Sequence, residues 1–228
     1  MTRVKQHILA ASLAMGLISA PLAWAQNGNG DLPSANTIFD DKMLVDGYAK
    51  KYQNLPKETL LAMIRDDTLT TYRSAGALRV FKEKYSREVV SNEKKIIEKI
   101  LLRRLHRTDS PFVEVEIMHA LCLMDRYRYF RTMAPALVLK LDHYNTAVND
   151  IAFEHVNQLI TAENNRSREA RVIFNTLRKT LFLSRKRLMD VKEPDARLSK
   201  KLKLLRWSIK VLGNQELKKL PKEVINLL

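Results

Sequence analysis

The sequence predicts an all-α fold: a short right-handed α-solenoid of about four degenerate two-helix units, with an irregular helical bundle as the alternative. Three observations lead there. From Met43 onward apolar residues recur three and four positions apart, and no sustained alternation of period two interrupts them. Several segments open with helix-start chemistry, an Asn, Asp or Ser close to a Pro. "NLPKETLLAMI" has Asn54 before Pro56, and "TDSPFVEVEIM" has Asp109 or Ser110 before Pro111; "EPDARLSKKL" and "LPKEV" repeat the arrangement at Pro194 and Pro221. Glycine is scarce: beyond Gly16, Gly28 and Gly30 only Gly47, Gly76 and Gly213 remain. Tight hairpins and phosphate-cradling loops both consume glycine, so composition argues against both.

Taken in order, the chain begins with Arg3 and Lys5, an apolar stretch from Ile8 to Ala23, and Ala23-Trp24-Ala25. This is the pattern of a secretory signal peptide, residues 1–25, cleaved after Ala25. The apolar stretch is short for a membrane span and holds Pro21 near its end. "QNGNGDLPSAN" opens a flexible leader over 26–42. Residues 43–228 form the helical domain, with 213–228 as a C-terminal cap. Helices are expected over 56–65, 69–84, 90–107, 111–126, 131–142, 146–162, 167–188, 195–212 and 221–227. Turns of a few residues make consecutive helices antiparallel neighbours. No later stretch is apolar enough to span a bilayer, so the expectation is an exported protein, periplasmic or extracellular. Its single cysteine, Cys122, sits in the apolar run "HALCLM" and reads as a buried small hydrophobe, so stability must come from packing.

The helices repeat. "ETLLAMIRDD", "KILLRRLHRTD", "PALVLKLDHY" and "RVIFNTLRKT" place Leu60, Leu101, Leu137 and Ile173 at equivalent positions, 41, 36 and 36 residues apart. The first three are followed by second helices, "TYRSAGALRVF", "PFVEVEIMHALCLM" and "TAVNDIAFEHVNQLI". This period belongs to two-helix solenoids. The chain here resembles HEAT repeats, most clearly over Asp109–Ile160 and roughly from residue 55 to 212. The family's Asp-x-x-x-Val-Arg stretch is not intact in any copy. The resemblance implies a helical-repeat binding or scaffold protein.

No compact catalytic signature is present: no His-Glu-x-x-His, Gly-x-Ser-x-Gly, Cys-x-x-Cys or P-loop. The expectation is a non-enzymatic protein with no cofactor and no metal. His119 and Cys122, three apart with Met118 and Met124 nearby, are too few soft donors for a metal site and read as core. His106, His143 and His155 suggest no triad. Glu114 and Glu116 diverge on their helix, and the carboxylates read as solvated surface. Leu204, Trp207 and Val211 form a second apolar stripe on the 195–212 helix, which the final "ELKKLPKEVINLL" is expected to cover.

Charge is concentrated. Residues 26–165 hold 20 Lys+Arg against 19 Asp+Glu, whereas residues 166–210 hold 15 against 4. At about 100° per residue, Arg168, Arg171, Arg178, Lys179, Arg185 and Lys186 cluster on one side of the 167–188 helix. Ala170, Ile173, Leu177, Leu181 and Leu188 lie roughly opposite, so the helix joins the core on one face and presents a cationic stripe on the other. Those six residues are the candidate binding site. A single-sign stripe concentrates anionic partners. The expected partner is a protein or an anionic cell-envelope component. The alternative is a basic HEAT-like nucleic-acid-binding protein or DNA glycosylase-like enzyme, against which the export signal argues.

Overall fold

The structure, a computed structural model, describes residues 42–125, 130–161 and 167–228. The signal peptide and all of the expected leader except Lys42 lie outside the described residues. Every regular element among the described residues is helical: α1 Lys42–Tyr52, α2 Lys57–Arg65, α3 Thr71–Lys84, α4 Ser91–Arg107, α5 Pro111–Asp125, α6 Phe130–Lys140, α7 Thr146–Thr161, α8 Ser167–Leu188, α9 Ala196–Leu212, a 3-10 helix Asn214–Lys219, and α10 Lys222–Ile225. Helix α1 falls almost wholly within the expected helical domain but ahead of the first helix expected there, at 56–65. Among the described side chains of this helix Val45 and Ala49 alone are buried, too thin a stripe to read from periodicity.

Prolines set several starts as their missing N–H dictates. Pro111 is the first residue of α5, and Pro56 and Pro221 stand immediately before α2 and α10. At α9 the cap is a side chain: Asp195 Oδ1 accepts from the Leu198 N–H at 2.7 Å. Gly213 ends α9 with φ +102°, a conformation that a Cβ would strain. Asn54, the expected cap of α2, lies outside it, and no side chain caps that helix.

Four hairpins, α2–α3, α4–α5, α6–α7 and α8–α9, pack onto one another in two ranks. In one rank α3 lies between α1 and α5, followed by α7 and α9; in the other α4 lies between α2 and α6, followed by α8 and then α10. Leu60, Leu101, Leu137 and Ile173, the residues in register by sequence, each sit in the second rank and are 0 % exposed. Each such burial contributes on the order of 1.5–3 kcal/mol. Polar ties run between neighbouring hairpins at a similar interval. Lys57 binds Glu93 at 2.7 Å, 36 residues on. Arg79 Nε donates to Glu116 Oε1 at 2.8 Å, 37 residues on, and Thr132 donates to Glu98, 34 residues back.

One expectation is overturned and another is extended. Glu114 and Glu116 do diverge, but neither is solvated: they are 1 % and 4 % exposed. Glu114 receives Lys140 at 2.7 Å and faces His143 Nε2 at 3.2 Å, while Glu116 holds Arg79 and Lys82, both at 2.6 Å. A helix can bury carboxylates two apart on both sides when each neighbour brings a cation. The C-terminal segment covers more than the α9 stripe: its 3-10 helix packs on α9, and α10 packs on α8. Leu220 and Val224 are buried there, and Trp207 packs against the core.

Candidate binding surface

Helix α8 buries Ala170, Ile173, Phe174, Leu177, Leu181 and Leu188. Phe174 completes a face that the sequence pattern had left one residue short. The six stripe residues lie away from this face, and the structure divides them into two kinds. Arg171 is tied down: its Nη1 reaches Glu216 Oε1 at 2.6 Å, and Lys219 binds the same buried carboxylate at 2.9 Å. Lys219 and then Arg171 hold the Glu216 carboxyl below its ordinary range by hydrogen bonding to the ionised form. Arg171 therefore clamps the C-terminal segment onto α8. Among the described residues no carboxylate pairs with Arg168, Arg178, Lys179, Arg185 or Lys186.

The contrast with α9 is direct. There Lys200 binds Asp150, Lys201 binds Asp142, and Arg206 donates to the Leu227 and Leu228 carbonyls at 3.0 and 3.1 Å. Arg197 donates to the Tyr144 carbonyl at 2.9 Å. Of the six α9 cations, two are thus paired with carboxylates and two more are held by backbone carbonyls, whereas on α8 Arg171 alone pairs with a carboxylate among the described residues.

Apolar residues interrupt the stripe, which the sequence reading did not single out. Phe182 is 50 % exposed and Leu183 74 %. The Arg185 guanidinium lies 4.1 Å from the Phe182 ring centre, and its Nη1 donates to the Phe182 carbonyl at 3.0 Å. Asn175, Arg178, Lys179, Phe182, Leu183 and Lys219 line a shallow cavity of about 470 Å³. Lys219 enters this cluster from the 3-10 helix, 40 residues beyond Lys179, so helical periodicity could not have found it.

Other polar clusters are internal. His155 Nε2 lies 3.0 Å from His119 Nδ1, the rings edge to face with centres 4.9 Å apart. These histidines stand on α7 and α5, 36 residues apart, a pairing that the sequence pattern did not single out. Burial first, and Lys82 second, pull the His119 pKa below its ordinary value. Cys122 is buried on the same helix. Among the described residues no group of three or more His, Cys, Asp or Glu converges to hold a metal, and no helix is long and apolar enough to cross a membrane. A second groove of about 270 Å³ between α2 and α4 has Ile64, Ile96 and Ile100 beside Arg65, Lys99 and Arg103. Comparison with protein families, curated proteins and solved structures returns no match.

Proposed function

We propose that this chain is an exported, non-enzymatic binding protein, a short HEAT-like solenoid that uses the outer face of α8 to hold an anionic component of the cell envelope. The stacking of hairpins in two ranks supports the solenoid part of the reading, as do the equivalent burial of Leu60, Leu101, Leu137 and Ile173 and the polar ties at 34–37 residues. The Arg3 to Ala25 pattern supports export. The observation that carries the binding function is the division of cations: those of α9 are mostly engaged within the chain, while Arg178, Lys179 and Lys186 of α8 have no carboxylate partner among the described residues.

Like charges gathered on one face repel by a few tenths of a kcal/mol per close pair. An anionic partner relieves that repulsion and is attracted over roughly a Debye length. The test is retention of the protein on isolated cell envelope across a salt series, comparing the wild type with Arg178→Gln/Lys179→Gln/Lys186→Gln. Retention is expected to fall with salt and to be weaker for the triple variant at low salt, with the melting temperature unchanged. Equal retention of the two proteins would refute the assignment to α8.

A further inference from the structure

We propose that the partner of α8 is the surface of an anionic phospholipid bilayer, with Phe182 and Leu183 entering the headgroup layer and the surrounding cations resting on lipid phosphates. This rests on the reading of α8 as a binding face and names what it binds. With the centre of the buried face as reference, Phe182 and Leu183 fall on either side of the outward direction, and Lys179 and Lys186 lie between them by helix geometry. The cations thus occupy the middle of the patch and the apolar side chains flank them.

That arrangement suits a lipid surface better than a protein. The centre of a protein interface is depleted in lysine, because each ammonium there must be stripped of water and re-paired. At a bilayer the same lysines keep their heads at the phosphate level while their stems lie along apolar neighbours. Phe182 and Leu183 stand out by 50 % and 74 % from a single helix, and the cavity that they line is shallow. The shallow cavity at their base brings Arg178, Lys179 and the Asn175 amide around one depression, a donor set for a phosphodiester, with Lys219, paired to Glu216, at its rim. Its apolar edge, Phe182 and Leu183, faces where the glycerol and upper acyl carbons of the same lipid would lie. Arg185, stacked on the Phe182 ring, supplies a cation that can travel with the ring to the interface. Met189, 64 % exposed just beyond the helix end, extends the apolar edge.

The experiment is co-sedimentation of the naturally processed protein with vesicles of about one-third phosphatidylglycerol in phosphatidylcholine, against vesicles of phosphatidylcholine alone. Binding is expected to the anionic vesicles only, and to fall with salt. Phe182→Ser/Leu183→Ser and Arg178→Gln/Lys179→Gln should each weaken it about tenfold or more, with melting temperatures held as the check on folding. Phe182→Trp adds a depth reading: its added fluorescence should shift blue and be quenched by lipids brominated near the headgroup end of the chains. Vesicle binding by the serine variant equal to wild type, or a tryptophan left unquenched on bound protein, overturns insertion while leaving an anion-binding face in place. No vesicle binding, together with salt-sensitive retention on envelope through α8, overturns the lipid assignment and points to an acidic protein or polymer. No binding to either removes both this inference and the function proposed above.

Discussion

Gly76 packs directly against α1: a Cβ at this position would lie 2.7 Å from the Tyr48 Cβ and 3.1 Å from the Ala49 backbone nitrogen. Gly76→Ala therefore gains helix propensity but forces α1 outward, and the clash should win. The expected loss is on the order of 1–3 kcal/mol, seen as a lower denaturation midpoint; a stabilised variant would show that α1 is loosely held. The cations of α8 separate by the same test. Arg171→Gln should lower the melting temperature, because it breaks the clamp on buried Glu216, whereas Lys186→Gln should not. His119 gives a pH dependence whose sign is fixed. Lys82, Glu116, Glu154 and His155 surround it, and its folded pKa lies below the ordinary 6.5 because burial disfavours the charged ring. The unfolded chain then binds more protons, so this contribution is complete above about pH 6.5 and is lost as pH falls toward the folded value. Denaturant melts at about pH 7.5 and 5.5 should show a smaller loss of stability on acidification in His119→Gln than in wild type. These residue roles were mostly hidden in the sequence. Glu114 reads as a solvated acid, and Glu216 does not stand out, because their partners, Lys140 and Arg171, are 26 and 45 residues away. The His119–His155 pair was accessible in principle, since its spacing of 36 residues is also that of Leu101 and Leu137.

Elements were far more legible than contacts. The apolar period and the Asx-Pro starts locate α2 to α9 closely, because burial on one face and an N–H-free first turn are local requirements. Helix α1 escaped because its fixation comes from packing across Gly76 and from Arg79, which binds Asp46. The stripe on α8 was legible as charge, but its apolar members were not: Phe182 and Leu183 look like core residues until the buried face is known to be Ile173, Phe174, Leu177 and Leu181. Leu101 offers the check on register. Fully buried in α4, it should cost about 2–5 kcal/mol as Leu101→Ala, while the exposed Ile96 on the same helix should cost far less as Ile96→Ala. Comparable losses from the two would contradict the assignment of faces.

At the scale of the whole molecule, two ranks of packed helices support one helix, α8, on which Arg171 alone of the stripe cations pairs with a carboxylate among the described residues. The stack is held by apolar burial and by ion pairs between neighbouring hairpins, so loss of the outer cations of α8 is expected to leave it intact. Export belongs to this scale too: the processed protein is expected to begin at Gln26, and mass spectrometry finding Met1 retained would refute the signal-peptide reading. The proposed function requires α8 to be the surface in contact with the envelope, which amine labelling of the protein, free and bound to isolated envelope, would reveal. Lys179 and Lys186 should become protected on binding, while Lys50 and Lys51 on exposed positions of α1 should label as before. Labelling of Lys179 and Lys186 that is unchanged by binding, or protection confined to α1, would contradict it.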